Sequence, residues 1–270
     1  MDDYRTLLVD NGSVHPPATL QLRKVAAELA RAIGTPVDPA SLLHSDSIDP
    51  AQIEGRPAEI LETAFDRLLA LGHQRFVVVP LFFGPSLALV RDLPDRTARL
   101  GLKHPKLRLR VASPLFAPDD NRLAKILVER SRASWPDPAR IVVVDHGSPS
   151  REVTQVRDAV AAQVRALTGA SAVVAAASME RRDGDEFAFN EPLLARLLAQ
   201  DGWNSGDVVV ALQFLLPGRH AGPHGDVARI CRHAEGRHPG LRTHTTAPMA
   251  DHPLAIEILA DRWRSAIENG

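Results

Sequence analysis

The second half of the sequence carries a small group of side chains that are suited to binding a divalent metal ion. Imidazole and carboxylate groups together suit borderline ions such as cobalt, iron, nickel and zinc, and both groups can accept protons. Three of these residues each follow a short apolar run, and the fourth lies in the same loop as the third. The residues are His146, Glu180, His220 and His224.

These apolar runs alternate with amphipathic segments along the whole chain. The strand candidates are Thr6–Val9, Phe76–Pro80, Leu107–Ala112, Ile141–Val144, Ser171–Ser178, Val208–Leu212 and Leu241–Thr245. The helix candidates are Ala18–Ile33, Arg122–Arg132, Val153–Leu167, Pro192–Gln200 and Pro253–Ile267. The alternation predicts an α/β fold with parallel sheets and helices on both faces. Ligands bind beyond the carboxyl ends of such strands, so we expect the histidines and Glu180 to converge there.

The two halves of the chain are an internal repeat. Three segments of the first half recur in the same order and at nearly constant spacing in the second half. Leu7–Ser13 matches Val142–Ser148, Val77–Phe83 matches Val209–Leu215, and Ala112–Leu115 matches Thr246–Met249. The sequence therefore predicts a duplicated α/β unit with a cleft between the halves.

The repeat is asymmetric at the positions that could carry chemistry. Asn11 replaces the histidine at His146, and alignment of the third-strand loops places Ala88 where His220 stands. We align His44 opposite Glu180. A single metal site would therefore belong to the second half.

Structural explanations for the same residues remain open at this point. Asp145–Ser148 could be a tight turn with glycine at positive φ and serine capping a helix. Pro217–Gly225 is rich in glycine and proline and could be a surface loop with solvated histidines. Glu180 could pair with Arg181 or Arg182 at the surface. Convergence of several such residues on one sheet edge favours a site over these alternatives.

Composition and other motifs exclude several classes of function. The formal net charge of −1 gives no field that would favour nucleic acid. Cys231 is the single cysteine, which excludes disulfides within the chain and cysteine-ligated clusters. There is no apolar run of membrane-spanning length and no signal peptide at the N-terminus, so we expect a cytoplasmic protein. Neither a Gly-x-Ser-x-Gly elbow nor a Gly-x-Gly-x-x-Gly motif is present.

The strand-His-Gly-Ser motif and the segment Phe214–His220 resemble the class II tetrapyrrole chelatases. The CbiX/SirB-type sirohydrochlorin chelatases are the most similar group, and the tail Ala247–Leu254 is also similar to theirs. The resemblance covers nearly the whole chain, once per half. It implies two chelatase-like domains, each a doubly wound, parallel four-stranded sheet. Residues 1–136 would form the domain with a degenerate site, and residues 137–270 would carry the metal and tetrapyrrole site.

The resemblance implies insertion of cobalt or iron into sirohydrochlorin, in cobalamin or siroheme biosynthesis. The metal is then a substrate, with nickel as a further candidate, and no organic cofactor is expected. His146 and His220 correspond to the family's two histidines and Glu180 to its acidic residue, so we predict that these three are catalytic. We predict His146, His220 and His224 as metal ligands.

We assign Arg219 and Ser148 to binding of the tetrapyrrole. Two residues are inserted after His220 relative to the family pattern, and His224 is an addition. The competing hypothesis is a non-catalytic carrier of metal or tetrapyrrole on the same scaffold. The sequence predicts no nucleic-acid or membrane partner, and it leaves monomer and homodimer open.

Overall fold

The computed structural model describes residues 4–268, which form eight strands and eight α-helices. The strands are β1 (Arg5–Asp10), β2 (Val37–Ser41), β3 (Arg75–Pro80), β4 (Arg108–Val111), β5 (Arg140–Asp145), β6 (Val173–Ser178), β7 (Gly206–Leu212) and β8 (Leu241–Thr245). The helices are α1 (Pro16–Ile33), α2 (Leu61–Ala70), α3 (Leu93–Lys103), α4 (Arg122–Ser134), α5 (Arg151–Thr168), α6 (Leu194–Leu197), α7 (Asp226–Arg237) and α8 (Pro253–Glu268).

The strands form two parallel four-stranded sheets with equivalent topology. Their orders are β2-β1-β3-β4 and β6-β5-β7-β8. The inner strands β1, β3, β5 and β7 are apolar through their interiors and buried on both faces, as expected for strands covered by helices. The edge strands β4 and β8 carry arginine or threonine at alternate positions and are partly exposed. The predicted duplicated α/β fold is confirmed.

The chain divides into two compact units, each built around one sheet. One unit comprises the described residues up to Leu115 together with those from Pro253 onward, and the other runs from Phe116 to His252. In the first unit α8 packs beside α1 and against β3, and in the second α4 packs beside α5 and against β7. Each unit therefore takes its last helix from the other repeat. The predicted limits, 1–136 and 137–270, describe the sequence repeat, whereas the compact units exchange α4 and α8.

Five elements differ from the sequence-based prediction, among them helices α2, α3 and α7, which were not predicted. Strand β2 was not predicted, because its sequence Val37–Ser41 contains a proline and two polar residues. Helix α6 is only four residues long, although the apolar spacing predicted a helix over Pro192–Gln200. Among residues 4–268, no helix combines the length and the apolarity that are needed to span a bilayer.

Candidate functional site

The loops after β5 and β6 meet through a contact that requires glycine. Gly147 has φ +91°, and a Cβ atom on it would lie 1.9 Å from the carbonyl oxygen of Glu180. The Glu180 amide in turn donates a hydrogen bond to the carbonyl oxygen of His146, at 3.2 Å. Only glycine accommodates both the backbone conformation and the close approach. The His-Gly-Ser motif therefore fixes His146 and Glu180 next to each other.

The loop after β7 brings the second histidine to the same place. Ala221 is buried in the core of the second sheet and anchors this loop. The carbonyl oxygen of His220 accepts a hydrogen bond from the amide of Val227, in the first turn of α7. The imidazole rings of His146 and His220 lie 4.5 Å apart between centroids, with an interplanar angle of 60°.

Hydrogen bonds at Nδ1 determine the tautomer of both histidines. Nδ1 of His146 lies 3.0 Å from the carbonyl oxygen of Gly147, and Nδ1 of His220 lies 2.6 Å from Oδ2 of Asp226. A carbonyl oxygen and an ionised carboxylate only accept hydrogen bonds, so Nδ1 donates in both rings. The lone pair of each neutral ring is therefore on Nε2. This is the arrangement in which a second group orients a metal-binding imidazole.

Glu180 completes the cluster. Its Oε1 lies 3.4 Å from Nε2 of His146. Side-chain exposure is 61% for Glu180, 46% for His146 and 32% for His220, so all three are accessible to a ligand. Across residues 4–268, no three or more His, Cys, Asp or Glu side chains form a group that could hold a metal ion unaided. A metal ion at this cluster would therefore need further ligands from another source.

Burial and neighbouring charges shift the pKa of the His220–Asp226 pair. Burial lowers the pKa of the His220 imidazole, and the hydrogen bond to Asp226 partly opposes this effect. Desolvation alone would raise the pKa of Asp226, but the hydrogen bond from His220 and the charge of Arg229 hold it below its usual range. At neutral pH, His220 is therefore a neutral imidazole that donates to an ionised carboxylate.

The other predicted site residues are placed differently. His224 is exposed, and its side chain makes no hydrogen bond or ion pair with the part of the chain that the structure describes. Arg219 is 72% exposed, and its Nε lies 3.7 Å from Oδ2 of Asp226. The hydroxyl of Ser148 accepts a hydrogen bond from the amide of Ser150, at 3.0 Å, just before α5. The geometry brings His146, His220 and Glu180 together and leaves His224 outside the cluster.

Two residues were not predicted from the sequence: one contacts this cluster, and the other binds the loop that follows His146. Asp226 is the first residue of α7 and orients His220. Asn190 is fully buried and binds both the amide and the carbonyl group of Ser148, each at 2.9 Å. A signal for Asp226 was available, because it is the first carboxylate after a candidate metal-binding histidine. The role of Asn190 depends on tertiary structure and had no such signal.

The corresponding edge of the first sheet has the same backbone without the histidines. Asn11 occupies the position of His146, and its carbonyl oxygen accepts from the amide of Leu43. A Cβ on Gly12 would lie 1.7 Å from the carbonyl oxygen of Leu43. Leu43 is therefore the counterpart of Glu180, and the predicted alignment of His44 with Glu180 was wrong by one residue. His44 instead follows that position and has φ +66°.

Ala88, predicted to stand at the position of His220, lies in a helical region. It begins the π-helical turn Ala88–Asp92, which continues directly into α3. The second half has the glycine- and proline-rich segment Pro217–Gly225 before α7 instead. Asn11 and Ala88 carry no imidazole, so these two positions of the first half do not form a counterpart of the His146–His220 pair.

Comparison with solved structures defines the class of fold. SirB from Bacillus subtilis with Fe³⁺ is similar at a TM-score of 0.72 and 17% identity, over 98% of this chain and 96% of that chain. SirB from Bacillus subtilis subspecies spizizenii in complex with cobalt is similar at a TM-score of 0.68, again with 17% identity, 98% and 96% coverage. The architecture is thus that of the sirohydrochlorin chelatases.

The family follows from the sequence model that matches the chain. The model of the CbiX family matches residues 5–134 and again residues 140–266. The chain therefore belongs to the CbiX family, with one family unit in each repeat, as the resemblance predicted. It is also 32% identical over 130 residues to the chloroplastic sirohydrochlorin ferrochelatase of Arabidopsis thaliana. That match covers 48% of this chain and 53% of that protein, so the chain spans about half the length of this curated relative.

Proposed function

We propose that this protein is a chelatase that inserts a divalent metal, cobalt or iron, into sirohydrochlorin. The observation that carries the proposal is the pair of imidazoles whose Nε2 lone pairs are available beside the carboxylate of Glu180. Membership of the CbiX family and the sirohydrochlorin chelatase fold support the choice of substrate.

The distance between His146 and Glu180 suits a bridging cation. When the ring of His146 is neutral, its Nε2 and Oε1 of Glu180 are two acceptors 3.4 Å apart. This contact is unfavourable unless a cation lies between the two atoms. Bonds of about 2.0–2.1 Å to a tetrahedral ion place two ligand atoms roughly 3.3 Å apart. The two atoms can therefore hold one ion with little movement. The ring of His220 is adjacent and offers a further nitrogen ligand.

Insertion also requires acceptance of protons. The free macrocycle carries two pyrrole N–H groups, and the metal replaces both protons as the metal–nitrogen bonds form. Glu180 is the most exposed member of the cluster and can pass a proton to solvent. His220 is held neutral by burial, so it can bind the metal without first losing a proton. We assign metal delivery to the histidines and proton acceptance chiefly to Glu180.

Arginines around the cluster supply positive charge for the carboxylates of the tetrapyrrole. Arg219 is exposed and only weakly paired. Arg151, at the start of α5, lies over the ring of Phe189, with its Cζ 4.7 Å from the ring centre. Arg181 is instead occupied by Glu191 and by the carbonyl group of Gly184. We therefore propose that Arg219 and Arg151 bind carboxylates of the tetrapyrrole. Ser148 would hold the loop that leads into α5 and Arg151.

The proposal is tested by the absorbance of sirohydrochlorin under anaerobic conditions with Co²⁺ and then with Fe²⁺. We expect conversion above the spontaneous rate for the wild type and its loss in His146→Ala and His220→Ala. Asn11→Ala, at the matching position of the first half, is the control and should convert normally. Binding of ring or metal without turnover would refute the chelatase and support the carrier hypothesis.

A further inference from the structure

A row of buried polar side chains lies beneath the histidine cluster, across the carboxyl ends of three neighbouring strands. Ser178 pairs in register with Asp145, and Gln213 follows Leu212, the register partner of Val144. Ser178, Asp145 and Gln213 are 0%, 6% and 4% exposed. Because register partners in a parallel sheet point to the same face, these three side chains form one layer.

Arg157 of α5 inserts a charge into this layer. It is only 2% exposed, and its Nη1 donates to Oγ of Ser178 at 2.6 Å and to the carbonyl oxygen of Asn190 at 3.1 Å. The same nitrogen lies 3.8 Å from Oδ1 of Asp145. Oγ of Ser178 donates to that Oδ1 at 2.6 Å. Arg157 thus joins three separate segments of the second unit.

The layer holds the His-Gly-Ser loop from two sides. Oδ1 of Asp145 accepts a hydrogen bond from the amide of Gly147 at 3.1 Å. On the other side, Asn190 accepts from the amide of Ser148 and donates to its carbonyl oxygen. Both residues that follow His146 are therefore tied to buried groups that Arg157 orients.

The first half provides an internal control for this layer. Helices α1 and α5 both contain 18 residues, and Leu22 stands where Arg157 stands. The amides of Leu81 and Gln213 make the same hydrogen bond, to Val9 and Val144, so Leu81 is the counterpart of Gln213.

The position of Asn190 also differs between the halves. The amides of Ser41 and Ser178 bind the carbonyl groups of Glu59 and Pro192, and this equivalence places Pro57 opposite Asn190. By contrast, the first half retains the aspartate and the serine, with Oγ of Ser41 donating to Oδ1 of Asp10 at 2.6 Å.

The differences cannot be explained by folding alone. The same backbone folds in the first half with Leu22, Leu81 and Pro57 at these positions. Burial of an arginine is unfavourable unless its charge and hydrogen bonds are well compensated, and apolar replacements are often at least as stable. The polar groups that have apolar counterparts in the first half therefore point to a role in that site, and Ser178 joins them through its hydrogen bond with Arg157.

We propose that Arg157, Ser178 and Asn190 are positioning residues that hold the backbone of His146 in the geometry needed to bind the metal. The inference rests on the chelatase function proposed above. The three residues do not touch the metal or the macrocycle; they act through the turn that follows His146. Loss of such supporting contacts typically lowers metal affinity or activity by about 10–100-fold.

The test compares Ser178→Ala with Ser41→Ala, which remove the same 2.6 Å hydrogen bond in the two halves. We expect similar losses of thermal stability from both variants. We expect kcat/KM for Co²⁺ insertion to fall at least about tenfold only in Ser178→Ala. Arg157→Lys should restore part of the activity that Arg157→Leu loses, because lysine can still donate to Ser178.

A second readout separates this inference from the proposed function. The imidazole signals of His146 in ¹⁵N-edited NMR spectra of the metal-free protein, assigned with His146→Ala, report how well the ring is ordered. We expect Ser178→Ala to shift or broaden them and Ser41→Ala to leave them unchanged. Unchanged signals and activity in a folded Ser178→Ala would overturn the inference. A wild type with ordered His146 signals that does not insert metal would overturn the proposed function alone.

Discussion

Substitution of Gly147 by alanine is expected to abolish most of the activity while the fold survives. The residue has φ +91°, and the added Cβ would meet the carbonyl oxygen of Glu180 at 1.9 Å. Gly12 offers a matched control in the first half, with φ +92° and a corresponding distance of 1.7 Å to the carbonyl oxygen of Leu43. The two substitutions therefore impose nearly the same local strain on two equivalent turns.

The size of the effect follows from these distances. Cβ atoms essentially never approach other heavy atoms closer than 3.0 Å, so the loops at Gly147 must separate by roughly 1.1 Å. A displacement of about 1 Å in a catalytic arrangement can lower the rate about 100-fold. The left-handed backbone conformation adds roughly 1–2 kcal/mol of destabilisation for a residue with a Cβ atom. In Gly147→Ala the separation moves His146 and Glu180 apart, whereas in Gly12→Ala it moves only Asn11 and Leu43.

The assay is the initial rate of Co²⁺ insertion into sirohydrochlorin, with urea unfolding of each variant measured in parallel. We expect Gly147→Ala to lose about 100-fold in kcat/KM and Gly12→Ala to stay within about threefold of the wild type. Both variants should lose similar amounts of stability. Comparable activity in the two variants would refute the reasoning, because it would show that the contact between Gly147 and Glu180 does not control the site.

Three further predictions concern charged groups. Asp226→Ala should lower kcat/KM about 10–100-fold, and Asp226→Asn less, because asparagine still offers an acceptor to Nδ1 of His220. Burial lowers the pKa of His220, so the part of the pH–rate profile that depends on His220 should fall below about pH 6.5. In Asp226→Ala that limb should move to still lower pH, because the hydrogen bond that raises this pKa is lost; a move to higher pH would contradict the assignment. Burial raises the pKa of Asp10 from 3.8 to about 6, so the folded state loses stability as the pH rises through that interval. Asp10→Asn should therefore be more stable than the wild type at pH 7.5 by up to about 3 kcal/mol, with no difference near pH 4, as measured by urea unfolding.

The sequence predicted those features that depend on local pattern. Continuous apolar runs identified the inner strands, and the repeat identified two equivalent units. The rule that ligands bind at the carboxyl ends of parallel strands correctly placed His146, Glu180 and His220 at one edge. Their assignment as catalytic residues and metal ligands stays a prediction that the experiments above test.

Features that depend on loop conformation were not predictable in the same way. In the loop after His220, His224 is exposed and Asp226 lies 2.6 Å from Nδ1 of His220, and no spacing rule distinguishes these outcomes. The exchange of α4 and α8 between the sheets also leaves no trace in local hydrophobicity, because each helix presents the same kind of apolar face to either sheet.

The degenerate half shows which buried polar groups belong to the fold and which belong to the site. Both halves retain a buried aspartate whose Oδ1 accepts from a serine in the next strand, so the pair forms in either turn, but only Ser178 also accepts a hydrogen bond from an arginine. Burial raises the pKa of Asp10 to about 6, and it also raises the pKa of Asp145, although there the charge of Arg157 partly opposes the shift. The turn alone therefore tolerates a poorly compensated carboxylate. A buried arginine is not needed for that turn to form, and its presence beneath His146 is best explained by the positioning role that we propose for it.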